Sequence, residues 1–346
     1  SKLDYLSKLA ETFDVRLVDD ASTDGSWKKI CEYMETHHPK FRASRMITNG
    51  QKVGAIISAV EESTRKYVLL TDFDSTISTP EGIGYALKRF ERNSNLAGIA
   101  LKVVPDGKSI LAGLQDIEYL TTHVYGGYTG KQKKVWCVPG AGGIWRKDVL
   151  KEVLQEHSGR HNGDDLETTA IAMRKGYDIG YDPSIVVKTI VPESISSLHK
   201  QRKRHELGWL ETVSKEKGFY YKQARNLKNR LGHVTLLQTY YWATLPLGIA
   251  SMAQFPNNPQ AFASYYLTDL AITGLMSYLK RDDLKSKKEL ALVPLMPIYR
   301  PIVSLPAKVA AVYEFFKSNV HIPDIRPRAS PNYIHVGAKL PESKVV

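Results

Sequence analysis

From residue 1 to about residue 195, short apolar runs alternate with stretches whose apolar residues recur at helical spacing, which confines this part of the chain to an α/β layer fold. Strands are expected at Val15–Val18, Tyr67–Leu70, Leu96–Val104 and Val135–Val138. Helices are expected at Trp27–His37, Val53–Ser63, Pro80–Arg92, Lys147–Gln155 and Leu166–Lys175.

Beyond residue 230 the pattern changes. Val234–Phe255 is 22 residues without a formal charge, and Ala261–Leu279 is 19 residues interrupted only by Asp269. Each is long enough to cross a bilayer core of about 30 Å as a helix. Pro256–Gln260 reads as the tight turn of a membrane hairpin. Lys222, Arg225, Lys228 and Arg230 precede the pair and Lys280, Arg281, Lys285, Lys287 and Lys288 follow it, so both ends are expected in the cytoplasm. A buried helical pair in a soluble domain is the alternative, suggested by Pro246 and the many Tyr, Thr and Ser residues. Leu290–Phe316 carries Arg300, Lys308 and, after Pro294, three internal prolines, Pro297, Pro301 and Pro306, and reads as an interfacial or broken helix, and the tail from Asp324 is expected to be mobile. The expected segments are therefore a catalytic domain at 1–195, interfacial helices at 196–232, a transmembrane hairpin at 233–280, a broken membrane helix at 281–323 and a tail at 324–346.

A net charge of +12 suits anionic substrates, an anionic membrane or nucleic acid alike. Two cysteines, Cys31 and Cys137, argue against a disulfide framework.

Four clusters carry the chemistry. Asp19 and Asp20 follow an apolar strand at its carboxyl edge, where open α/β sheets bind ligands, although a turn with a helix cap explains the same residues. Asp72 and Asp74 close a second apolar run; on an extended backbone both carboxylates point to one side and suit a divalent metal. Asp164 and Glu167 have the spacing of a capping box, which leaves Asp165 free to take a proton from a hydroxyl. The cationic run Lys200–His205 offers Arg202 and Arg204 to a departing diphosphate or forms a solvated face. Lys52 enters a helix from a glycine-flanked loop and suits a phosphate, and Gly140, Ala141 and Gly142 let backbone approach a sugar.

Taken in order, these motifs resemble the membrane-embedded processive members of glycosyltransferase family 2, which have a GT-A fold and include cellulose, hyaluronan, chitin-oligosaccharide and poly-N-acetylglucosamine synthases. The resemblance covers about residues 8 to 316. Asp19-Asp20-Ala21-Ser22 is similar to the nucleotide-binding turn, with Ala21 where glycine is usual. Asp72-Phe73-Asp74 is similar to the metal-binding Asp-x-Asp, and Gly163-Asp164-Asp165 to the element whose last Asp is the base. Gln201-Arg202-Lys203-Arg204-His205 is similar to Gln-x-x-Arg-Trp with His205 in place of the tryptophan; Trp209, one turn on, is a substitute.

The resemblance implies an inverting transferase that uses UDP-N-acetylglucosamine or UDP-glucose with Mg²⁺ or Mn²⁺. It implies Asp165 as base, and Asp19, Asp20, Lys52, Asp72, Gln201, Arg202 and Arg204 on the donor side. Asp72 and Asp74 would hold the metal, and Gly140, Ala141, Gly142, Asp164, Glu167, His205 and Trp209 would border the acceptor. The expected partners are a nucleotide sugar, a polysaccharide acceptor and the membrane, and no nucleic acid is expected. A transferase adding one sugar to a lipid acceptor is the alternative motivated by His205, and a non-catalytic basic module that binds membrane or nucleic acid is a further one. The family's first strand has no counterpart before Leu3, so an N-terminally truncated part of a longer protein is expected.

Overall fold

The computed structural model of the protein describes residues 1–160, 162–243, 249–250, 253–254, 256–318 and 333–336. Helix α1 (Lys2–Leu9) leads into strand β1 (Arg16–Asp19), helix α2 (Ser26–His37), β2 (Arg42–Met46), α3 (Gln51–Glu62) and β3 (Tyr67–Leu70). Then come β4 (Ser75–Ile77), α4 (Ile83–Arg92), β5 (Leu96–Asp106), α5 (Ile110–Gly130), β6 (Gly143–Arg146), α6 (Lys147–Glu156), α7 (Asp164–Arg174) and β7 (Asp178–Ile190). β1 pairs parallel with β2, and a five-stranded mixed sheet runs β3-β6-β5-β7-β4.

The central strands β5 and β7 pair in parallel, and β5 is buried on both faces, which explains its nearly unbroken apolar character. Along β5, Ile99, Leu101 and Val103 pack with Phe90 and Ile185 on one side, while Ala100 packs with Leu150 and Ile171 on the other. Alternation on a pleated strand assigns those sides. Val135–Val138 is not a strand: a single bridge joins Lys134 to Ile179, with the Ile179 N–H donating to Lys133 O at 2.7 Å and the Val135 N–H to Ile179 O at 3.3 Å.

Three long helices follow: α8 (Ile195–Lys215), α9 (Lys217–Arg225) and α10 (Arg230–Ala243). Residues 244–248, 251–252 and 255 lie outside the described residues, so the first leg of the expected hairpin is described mainly over α10. After a turn at Pro256 and Asn257 comes α11 (Pro259–Leu279), capped by the Asn258 side chain on the Ala261 N–H at 3.0 Å.

The third apolar segment is a 3-10 helix, Lys287–Leu295, that passes into α12 (Met296–Ser318). The break falls beside Pro294, while Pro301 and Pro306 are accommodated inside α12. Among the described residues, Lys287–Ser318 is the helical stretch long and apolar enough, by length and composition, to cross a membrane. α12 packs along α8 and is tied to it through Lys203–Glu314 at 2.5 Å and Lys308–Glu206 at 3.7 Å. Of the tail expected to be mobile, only Tyr333–Val336 lies within the described residues; it forms a strand antiparallel to β2.

Candidate active site

The cleft is assembled where β1, β3 and the loop before β6 end beside the first turn of α7. Asp19 ends β1 and is buried, paired with Arg45 Nε at 3.2 Å and accepting the Ser22 N–H at 3.2 Å. Ala21 takes a left-handed backbone (φ 55°), the conformation for which glycine is the usual residue at this point of the motif. Asp20 Oδ1 accepts the Gly50 N–H at 2.7 Å, which ties the acidic turn to the loop that launches α3. Burial pushes the Asp20 carboxyl up.

Lys52, in the first turn of α3, reaches Asp72 Oδ1 at 2.6 Å and Asp164 Oδ2 at 3.9 Å. Burial opposes its charge, but Asp164 and Asp72 outweigh that and hold the ammonium well above the ordinary lysine range. A methyl group at Gly140 would stand 2.4 Å from Lys52 Nζ, so the ammonium lies directly against the glycine loop. Asp72-Phe73-Asp74 is a turn rather than an extended strand end, since the Ser75 N–H donates to Asp72 O at 3.0 Å. Asp74 Oδ1 accepts the Ser75 hydroxyl at 3.0 Å and the Thr189 hydroxyl at 3.4 Å. Both hydroxyls go to one oxygen, which leaves Oδ2 for a cation.

Lys2 of α1 donates to Ser75 O, and burial lowers its ammonium's pKa against the opposing charges of Asp74 and Asp72.

The expected capping box at Asp164 and Glu167 does not form. Gly163 is the N-cap with no side-chain cap, so Asp164, Asp165 and Glu167 all lie in the first turn of α7, where the helix dipole favours negative charge. Asp165 Oδ1 accepts the Leu166 N–H at 2.8 Å and Oδ2 the Gly140 N–H at 3.3 Å, which aims it into the cleft beside the glycine loop. Burial, then the neighbouring Asp165 charge, pushes Asp164 up to about 7. Half-buried Cys137 contacts Asp165; desolvation and that carboxylate raise its thiol.

Three other expected site residues are otherwise engaged. Glu167 is 3% exposed, with its oxygens taken by the Ser158 N–H at 2.8 Å, the Ser158 hydroxyl at 2.6 Å and Lys215, so it is a structural anchor and not an acceptor contact. Arg202 is held by Glu118 Oε2 at 2.6 Å, an oxygen that also accepts the Tyr299 hydroxyl at 2.8 Å. Its Nη1 donates to Gln201 Oε1 at 3.1 Å, so Arg202 orients Gln201 rather than facing the diphosphate. Trp209 stacks on Trp242 of α10 with centroids 5.3 Å apart and does not stand free for a sugar.

Arg204 is exposed, with no ion-pair partner among the described residues. His205 is exposed; the desolvation caused by the protein packed around it, then the Arg202 charge, lowers its imidazole. α7 and α8 meet at bare backbone: a Cβ on Gly208 would stand 2.3 Å from Asn162 O, and one on Gly163 2.8 Å from Gly208 O.

Glu118, Arg45, Thr189 and Cys137 were not singled out from the sequence as site residues. No local motif marks them, since they are brought in by strand register and helix packing.

Residues 10–208 match the protein family described as "Glycosyltransferase like family 2". The chain belongs to glycosyltransferase family 2. Within that family it is 25% identical over 211 residues to the poly-beta-1,6-N-acetyl-D-glucosamine synthase of Staphylococcus epidermidis, covering 59% of this chain and 49% of that protein. It is 28% identical over 214 residues to an N-acetylglucosaminyltransferase of Sinorhizobium fredii, covering 59% and 50%. The chain thus spans about half the length of the relatives it matches. The mannosyltransferase PcManGT from Pyrobaculum calidifontis, solved with GDP-Man and Mn2+, superposes with a TM-score of 0.54 at 17% identity, covering 91% of this chain and 81% of that one. The expected GT-A fold is therefore the fold observed.

Proposed function

We propose that this chain is the catalytic region of an inverting, metal-dependent glycosyltransferase that moves N-acetylglucosamine from UDP-N-acetylglucosamine to a growing β-linked polysaccharide at a membrane. The observation that carries the proposal is the meeting of Lys52, Asp72, Asp164 and Asp165 at one point, with Asp165 held against the glycine loop by the Gly140 N–H. The names of the relatives motivate the choice of sugar.

Asp165 acts as a carboxylate base on the acceptor hydroxyl, whose oxygen attacks the anomeric carbon directly and inverts it without a covalent intermediate on the protein. Lys52 and exposed Arg204 face the charge that develops on the departing diphosphate. Asp19 and Asp20 border the nucleoside, and the loop of Gly140, Ala141 and Gly142 admits the acceptor. The hard oxygens of Asp72 and Asp74 fit Mg²⁺ or Mn²⁺. No group of three or more His, Cys, Asp or Glu residues suited to a metal occurs among the described residues, so these two carboxylates would share the ion with diphosphate oxygens. That ion would neutralise charge on the leaving group.

α10, α11 and the segment ending in α12 would contact the bilayer, with the catalytic domain on the cytoplasmic side. Leu237, Leu267, Ile272, Leu275, Ile302 and Phe316 are exposed large apolar side chains on these helices.

A second reading, transfer of a single sugar to a lipid, is favoured by His205 and by the engagement of Trp209 with Trp242, which leave no free tryptophan at either position to stack on a sugar. Release of UDP by membranes carrying the protein, measured with each UDP-sugar and Mn²⁺, tests the proposal. Turnover with UDP-N-acetylglucosamine is expected to fall about 10²- to 10⁴-fold in Asp165→Asn. No release with any sugar would sink the enzyme assignment, and a product carrying one added sugar would select the second reading.

A further inference from the structure

We propose that His157 is a positioning residue: its ring holds the main-chain carbonyl of Asp164 and thereby sets where the adjacent Asp165 carboxylate is presented. The inference rests on the assignment of Asp165 as base. His157 follows α6, and its side chain is 0% exposed. The Gly159 N–H donates to Nδ1 at 3.0 Å, so Nδ1 must accept and a neutral ring carries its proton on Nε2. Nε2–H then donates to Asp164 O at 3.1 Å. Burial lowers the imidazole's pKa, which favours this neutral tautomer over the imidazolium, whose Nδ1–H would oppose the Gly159 N–H.

Glu167 Oε2 lies 3.7 Å from Nε2 but already accepts the Ser158 hydroxyl, and Oε1 accepts from the Ser158 N–H and Lys215. The carboxylate therefore has donors of its own, and the ring proton is left for Asp164 O. The Thr168 hydroxyl donates to the same carbonyl at 2.6 Å, and the Thr169 hydroxyl donates to Asp165 O at 2.7 Å while accepting the Val138 N–H at 2.9 Å. His157 is the one of these contacts that comes from outside α7 to the first residue of the helix. The first turn of a helix is where the main chain is least held by its own hydrogen bonds. A base displaced by about 1 Å can cost about 10²-fold in rate.

Two substitutions in the full chain separate the ring's two contacts. In His157→Gln the amide nitrogen can take the place of Nε2 and keep the bond to Asp164 O; in His157→Asn the amide oxygen can take the place of Nδ1 and keep the bond from Gly159, but the side chain falls short of Asp164. The Asn variant is expected to lose about 10- to 100-fold in kcat at nearly unchanged KM for the donor, and the Gln variant to recover most of it. Equal kcat in wild type and Asn variant, or equal loss in both variants, would overturn the proposal. If the wild type itself shows no turnover, the enzyme reading falls, and amide hydrogen exchange decides the positioning role. Faster exchange at 163–168 in the Asn variant but not the Gln variant upholds it, and unchanged exchange in both overturns it.

Discussion

In the cleft the Lys52 ammonium faces the carboxylates of Asp72, Asp164 and Asp165, whereas three charges of α12 each have one partner: Arg300 with Asp269, Lys308 with Glu206 and Glu314 with Lys203. The two partly buried pairs, Arg300–Asp269 and Lys308–Glu206, fix register between helices, since an ion is costly to bury without its partner. A surplus of negative charge around one cation does the opposite: it leaves part of the site's electrostatic requirement open to a ligand.

The matched side of this contrast is the easier to break. Arg300→Met leaves Asp269 unpaired between α11 and α12 and is expected to cost about 3 kcal/mol in detergent-solubilised unfolding, with most of the loss restored in the double variant that adds Asp269→Leu. A double variant as weak as the single one would show that the pair does more than hold the two helices together. The surplus side is sharpened by metal. Mn²⁺ at about 100 times its Kd is expected to raise stability by about 2.7 kcal/mol in the wild type and not in Asp74→Asn. A gain of the same size in both would place the ion elsewhere.

The smallest effect, taken per pH unit, is a pH slope in the metal-free protein. The folded state keeps a proton on Asp164 up to about pH 7, whereas the unfolded chain releases it near the ordinary aspartate value of 3.8. A raised carboxyl pKa means that the folded state binds the extra proton, so stability falls as the pH rises through that window, by at most about 1.4 kcal/mol per pH unit for one proton. Asp164→Asn is expected to flatten the slope, and an unchanged slope would assign it to another group.

The alternation of apolar runs made the layer fold legible in the sequence: Tyr67–Leu70 is a strand as expected, and the helices expected at Trp27, Val53, Lys147 and Leu166 begin within two residues of the observed starts. β2, Arg-Ala-Ser-Arg-Met, was not legible. Its charged residues pair at the side chain with partners distant in sequence, Arg42 with Asp14 and Arg45 with Asp19, and hydropathy alone does not show that. The acidic motifs of the site were legible because they sit in short turns and at the mouth of a helix, where local chemistry is concentrated. The roles of Glu167, Arg202 and Trp209 were not, because each was settled by an element far away in the chain: Lys215, Glu118 and Trp242.

Gly163 and Gly208 lie about 45 positions apart, yet they behave as one genetic locus, because the main chains that carry them touch without side chains between. Enlarging either residue is expected to wedge the loop before α7 away from α8 and to shift the first turn of α7, which carries Asp165, relative to α8. No second change at the other position can compensate, because there is no side chain there to shrink. Variant libraries that randomise the loop before α7 or the middle of α8 are therefore expected to return glycine at both positions whenever function is selected.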